Sequence, residues 1–140
     1  MQDRFEQYDN SIDPAGADYW YDHALPLAIE LLWQFKHSDW TRLRQALSFR
    51  SVSWLCRCAE TLEEVYAASS LDILKELLCH PEDRVAVAAV DALKGWALAG
   101  QIISSDAVML QRLSKLHAKP ELECRYAVEL LQAKLCASSD

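Results

Sequence analysis

The feature that most limits how this chain can fold is a recurrence. In HPEDRVAVAAVDALKGW, residues 80–96, Val85, Ala88, Ala89, Ala92 and Trp96 share one side of a helix at about 100° per residue. Cys124, Ala127, Val128, Leu131 and Leu135 repeat those five positions 39 residues later. Leu55, Cys58, Ala59, Leu62 and Tyr66 repeat them 30 residues earlier. A single helix cannot bury such a stripe alone, so copies of it must stack on one another.

Each striped helix is preceded by a shorter one. DWTRLRQALSF, SLDILKELLCH and SDAVMLQRLSKLHAK take these places, with Leu43 and Leu47, Leu74 and Leu77, and Leu113 and Leu116 facing inward. Asp39, Ser51, Ser70, and Ser105 or Asp106 are suited to cap helix starts. Pro81 and Pro120 suit first turns, and Gly100 suits a helix end. HALPLAIELLWQF adds a helix whose Leu25, Ala28, Ile29, Leu32 and Phe35 fall mostly on one side. The expected fold is all-α: an α-solenoid of about three helical hairpins behind an N-terminal capping helix. It occupies residues 1–140 as one domain, with residues 1–17 an acidic, flexible head. The rival is an irregular helical bundle without true repeats.

Charge narrows the partners. The net charge is −7, and residues 1–22 hold six acids against one base, Arg4, so the head carries most of it. Such a surface repels phosphate, which argues against direct nucleic-acid binding and admits a basic protein. The polar start MQDRFEQYDN is unlike a secretion signal, and no apolar run reaches the ~20 residues of a membrane helix. Five cysteines, Cys56, Cys58, Cys79, Cys124 and Cys136, all fall in helical segments, as reduced thiols of a cytoplasmic protein would. Cys56 and Cys58 point about 200° apart on a helix and cannot chelate one ion together.

The stretch LDILKELLCHPEDRVAVAAVDALKGWA resembles a HEAT-like repeat. It has a leucine-rich first helix, a His-Pro-Glu-Asp turn and an Ala-rich second helix, although the common Val-Arg order is reversed in Arg84-Val85. The resemblance is specific in residues 71–99 and loose elsewhere, and it implies a protein-binding scaffold. DWTRLRQALSFRSVSWLCRCAETLEEV followed by that unit is similar to small bacterial immunity proteins that sit beside polymorphic toxins. That similarity implies neutralisation of a toxin by occlusion; a general adaptor or assembly scaffold is the alternative.

No phosphate loop, nucleophile elbow or His-Glu-x-x-His motif is present, so no catalytic, cofactor or metal residue is expected. His37, His80 and His117 read as residues near helix C-termini, and Glu63-Glu64 and Glu82-Asp83 as solvated faces or helix-start charges. Surface is what remains. In DYWYDH, three successive aromatics cannot all face one core, so Asp18, Tyr19, Trp20, Tyr21 and Asp22 form a candidate anchor for a basic toxin. The alternative has Trp20 plugging the first hairpin while the tyrosines cover its edge. On the last helix Leu122, Tyr126, Leu130 and Ala133 make an apolar outer line, with Tyr126 and Leu130 as candidate contacts. A partner, a homodimer or the N-terminal segment could cover it. The equivalent outward lines are Trp54, Arg57, Thr61 and Glu64 in the first copy, and Arg84, Val87, Asp91 and Lys94 in the second.

Overall fold

The middle copy of the stripe becomes the longest helix in a computed structural model that describes residues 3–12 and 19–138, the last three by backbone alone. Every regular element among these residues is helical. In chain order they are α1 (Arg4–Ile12), a π-helical turn (Trp20–Ala24), α2 (Leu25–Trp33), α3 (His37–Ala46), α4 (Val52–Leu62), α5 (Ala68–Leu78), α6 (Asp83–Leu98), α7 (Ala107–His117) and α8 (Arg125–Ser138). Short 3-10 turns follow α3 and precede α8. No described helix is long and apolar enough to cross a membrane.

Local chemistry sets where the helices start and stop. Ser51 and Asp106 cap α4 and α7 by accepting the backbone N–H groups of Trp54 and Met109 at 3.2 and 2.8 Å. Asp39 sits one turn inside α3 instead, where its carboxylate accepts the Lys36 N–H at 2.9 Å. Ser70 also lies inside its helix, not at its cap: α5 begins earlier, at Ala68, and the Ser70 hydroxyl is buried with no hydrogen-bond partner. α6 ends where Gly100 turns left-handed at φ 81°, letting Gln101 N–H reach Trp96 C=O and Gly100 N–H reach Ala97 C=O. These two bonds satisfy carbonyls that the last turn would leave unpaired, and glycine alone takes that φ freely.

α6 is the centre of packing, in contact with α4, α5 and α8; α7 lies against α8 and α5. Of the expected core positions, Val85, Ala89, Ala92 and Trp96 are buried, as are Leu55, Cys58, Ala59 and Leu62, and Cys124, Ala127, Val128, Leu131 and Leu135. Ala88 is half-buried, and Tyr66 is partly exposed with its ring edge-on to Trp96 at 5.2 Å. Trp96 Nε1 donates to Leu62 C=O at 2.9 Å, so its polar atom is satisfied inside the core.

The largest departure lies at the N-terminus. The segment expected to be a flexible acidic head is, from Arg4 to Ile12, a helix packed on α2, α3 and α4. Phe5, Tyr8 and Ile12, spaced i, i+3, i+7, are all buried. Its acids are matched by bases: Asp3 pairs with Arg42, and Asp9 takes both ends of Arg50 at 3.1 and 2.9 Å. Trp54 Nε1 also donates to Asp9 at 2.9 Å. α1 therefore covers the side of α4 expected to face outward, and Trp54 and Thr61 are buried there. Tyr8 and Thr61 share a buried hydroxyl contact of 2.7 Å, and Thr61 donates to Cys58 C=O at 2.6 Å.

Candidate functional site

The residues singled out from sequence differ in their exposure. Asp18 lies outside the described residues. Trp20 is only 1% exposed, which corrects its assignment as a contact anchor. The π-helical turn points its indole inward, where Nε1 donates to Glu60 at 3.4 Å and the Arg57 guanidinium lies 4.9 Å above the ring. Tyr19 and Tyr21 are pushed outward by the same turn and stand more than half exposed, with Asp22 exposed beside them. The buried Trp20 thus anchors the turn between two exposed tyrosines. At the other end of the chain, Tyr126 is 73% exposed, while Leu130 is half-buried against the core.

Below Tyr21 runs a cleft that the sequence reading did not find. Tyr21, Leu25, Glu60, Glu63, Ala88, Asp91 and Ala92 line one part, of about 450 Å³. Leu25, Glu60 and Glu63 continue into a second part with Pro26, Ile29 and Glu64. One wall is α2 and the turn before it; the other is the end of α4 with the middle of α6. The apolar wall comes from Leu25, Pro26 and Ile29, and the acidic wall from Glu60, Glu63, Glu64 and Asp91.

The acidic wall is electrostatically unfavourable for the free protein. Glu60, Glu63 and Glu64 crowd the C-terminal end of α4, where the helix dipole is negative. Among the described residues, no ion pair joins Glu63, Glu64 or Asp91 to a cation. Burial, then the charges of Glu64 and Asp91, raise the Glu63 carboxyl above its usual range. Burial likewise raises Asp91, with Lys94 as a partial counterweight. The charge of Glu60 raises the Tyr21 phenol, whose hydroxyl stands 3.5 Å from that carboxylate. Glu63 also lies tight over α6: a Cβ placed on Gly95 would meet Glu63 Cγ at 2.6 Å. Gly95 is what lets this side chain lie flat in the cleft.

The two acid pairs read together as solvated faces or helix-start charges are therefore unlike. Asp83, at the start of α6, is matched by Lys119 at 2.8 Å and Arg112 at 3.1 Å, which lower its pKa. Among the described residues, Glu63 and Glu64 have no such match. The sequence carried one hint of the cleft, three glutamates at 60, 63 and 64 closing a helix where bases are favoured. Asp91 gave none, since it is 27 residues further on and reaches the site only through the packing of α4 on α6.

The cleft holds carboxylates, a phenol and apolar side chains, a set suited to gripping a cation that carries apolar surface. Among the described residues, no three of His, Cys, Asp and Glu are placed to hold a metal ion. Cys58 is buried beneath Tyr8, and Cys56 points to the Arg84 carbonyl at 3.6 Å. His80 accepts the Glu82 N–H at 3.0 Å, and His117, last residue of α7, meets Glu129 at 2.8 Å. His37 opens α3 instead of closing a helix.

Further exposed apolar side chains are Leu98, which ends α6, Ile102 just beyond it, and Tyr126 near the start of α8. A cavity of about 240 Å³ is lined by Ala97, Gly100, Ile103 and Leu135 among others. No family model, curated protein or solved structure matches this chain.

Proposed function

We propose that this chain is a HEAT-like α-solenoid that binds another protein and neutralises it by occlusion, as an immunity protein does with a cognate bacterial toxin. The packing of α4, α6 and α8 in sequence order, with α5 and α7 beside them, supports the solenoid part. The observation that carries the binding part is the rim: Tyr19 and Tyr21 are exposed, yet held in place by the buried Trp20 between them. Exposed aromatics on a fixed backbone lose little entropy when a partner covers them, which is what a contact anchor requires.

Affinity capture with the full chain, followed by expression of the captured protein alone, tests this reading. The expected result is a captured protein that arrests growth, with growth restored when this chain is co-expressed. Failure to capture any protein would sink the binding reading. A captured protein that is harmless alone would favour the adaptor. The separate exposed apolar pair Leu98 and Ile102 at the end of α6 favours that second reading, because an adaptor needs two surfaces.

A further inference from the structure

We infer that the cleft beneath the tyrosine rim receives a segment of the partner that carries lysine or arginine beside an apolar side chain; this rests on the protein-binding reading above. Two properties of the groove select that occupant. Its α2 wall is apolar, with Leu25, Pro26 and Ile29 facing the opening. Its α4–α6 wall holds Glu63, half-buried, and Asp91 beside it, and among the described residues no ion pair joins either to a cation. An all-apolar peptide would cover these carboxylates and leave them unpaired, which costs binding energy. A bare inorganic cation or a polyamine would leave the apolar wall open to water. A lysine or arginine satisfies both walls, because its methylene stem packs on apolar surface while its head meets the acids.

The cations already nearby do not fill this role. Arg57 lies over the Trp20 ring, and Lys94 only partly offsets the repulsion that burial and neighbouring acids impose on Glu63. The site also costs the free protein stability, since three acids meet the negative end of α4. A partner's cation would remove that repulsion, so the charge pattern is complementary to a basic segment.

Titration of the isotopically labelled full chain with the peptide acetyl-Leu-Lys-Leu-Lys-Leu-amide, followed by amide NMR shifts, reads the cleft alone. Saturable shifts are expected at Glu60, Glu63, Ala88 and Asp91. The E63Q/D91N variant should bind at least ~10-fold more weakly, since the desolvated charge pairing is gone. The A88L variant, which fills the floor without changing charge, should weaken binding as well. Both variants are compared by thermal melting, and E63Q/D91N should melt no lower than the parent because it relieves repulsion. Equal binding of the peptide with glutamine in place of lysine would overturn the inference. So would shifts confined to another surface, or spermine binding as tightly as the peptide. A captured partner that binds E63Q/D91N normally would sink the cleft assignment and leave the protein-binding reading intact. Saturable binding of the lysine peptide with no protein captured would do the reverse.

Discussion

The two ends of the helical array treat the same helix position in opposite ways. Thr61 on α4 and Leu130 on α8 sit at equivalent points of the repeated pattern, as do Arg57 and Tyr126. At the N-terminal end, α1 and the Trp20 turn lie over that side, so Thr61 is fully buried and Arg57 half-buried. At the C-terminal end no described helix takes the place of α1, so Leu130 is only half-buried and Tyr126 stands 73% exposed. An apolar residue on a repeat's outer line therefore does not by itself identify a binding face. What decides is whether another part of the chain reaches it, and here a 9-residue helix does so at one end only.

Substitution at the covered end should have the largest effect. Trp54→Ala removes a buried indole that meets Tyr8 edge-on and donates to Asp9, and should cost about 3–5 kcal/mol in urea unfolding. Trp96→Ala, in the central helix, belongs in the same range. A loss under about 1 kcal/mol for Trp54→Ala would mean that α1 does not seal α4, and the two ends would then be alike.

A smaller effect appears only in alkali, and is strongest at the covered end. Burial pushes the Cys58 thiol from 9.0 up to about 12, and burial also raises the Tyr8 phenol well above 10. In the unfolded chain these groups lose their protons first, so the folded state binds more protons through that window. Stability is therefore fully present below pH 9 and falls as pH rises from there toward 12. Cys58→Ala lowers stability at every pH by leaving a cavity, but the slope of stability against pH above 9 should become shallower. An unchanged slope would show that Cys58 is not sealed under α1.

The smallest effect is expected at the bare end. Tyr126→Ala should change stability by no more than about 0.5 kcal/mol, because the ring has little to lose. A loss beyond about 2 kcal/mol would mean that Tyr126 is covered, by a second copy or by the partner, and melting at two protein concentrations would separate a homodimer from the rest.

Much of this comparison was legible in the sequence, and the rest was hidden for identifiable reasons. The recurrence at 30 and 39 residues placed the buried faces of α4, α6 and α8, because a helix has one period and three copies share its phase. α1 was missed because its acids dominate the composition of the head, while Phe5, Tyr8 and Ile12 give only three apolar points. Its acids looked free because Arg42 and Arg50 lie some 40 positions away. The rim was half-read: the need for at least one exposed aromatic in DYWYDH was clear, but which one faced in depended on Glu60 and Arg57 on another helix. The cleft was unreadable for the same reason, since it exists only between α2, α4 and α6.

The most direct test of where the molecule acts is a binding isotherm of the captured partner against two single variants, one at each end. If the rim and cleft hold the partner, Tyr21→Ala should weaken binding by about 2 kcal/mol or more with an unchanged melting temperature. Tyr126→Glu should then bind like the parent chain. Loss of binding in Tyr126→Glu, with Tyr21→Ala binding normally, would contradict this and move the interface to the bare face of α8.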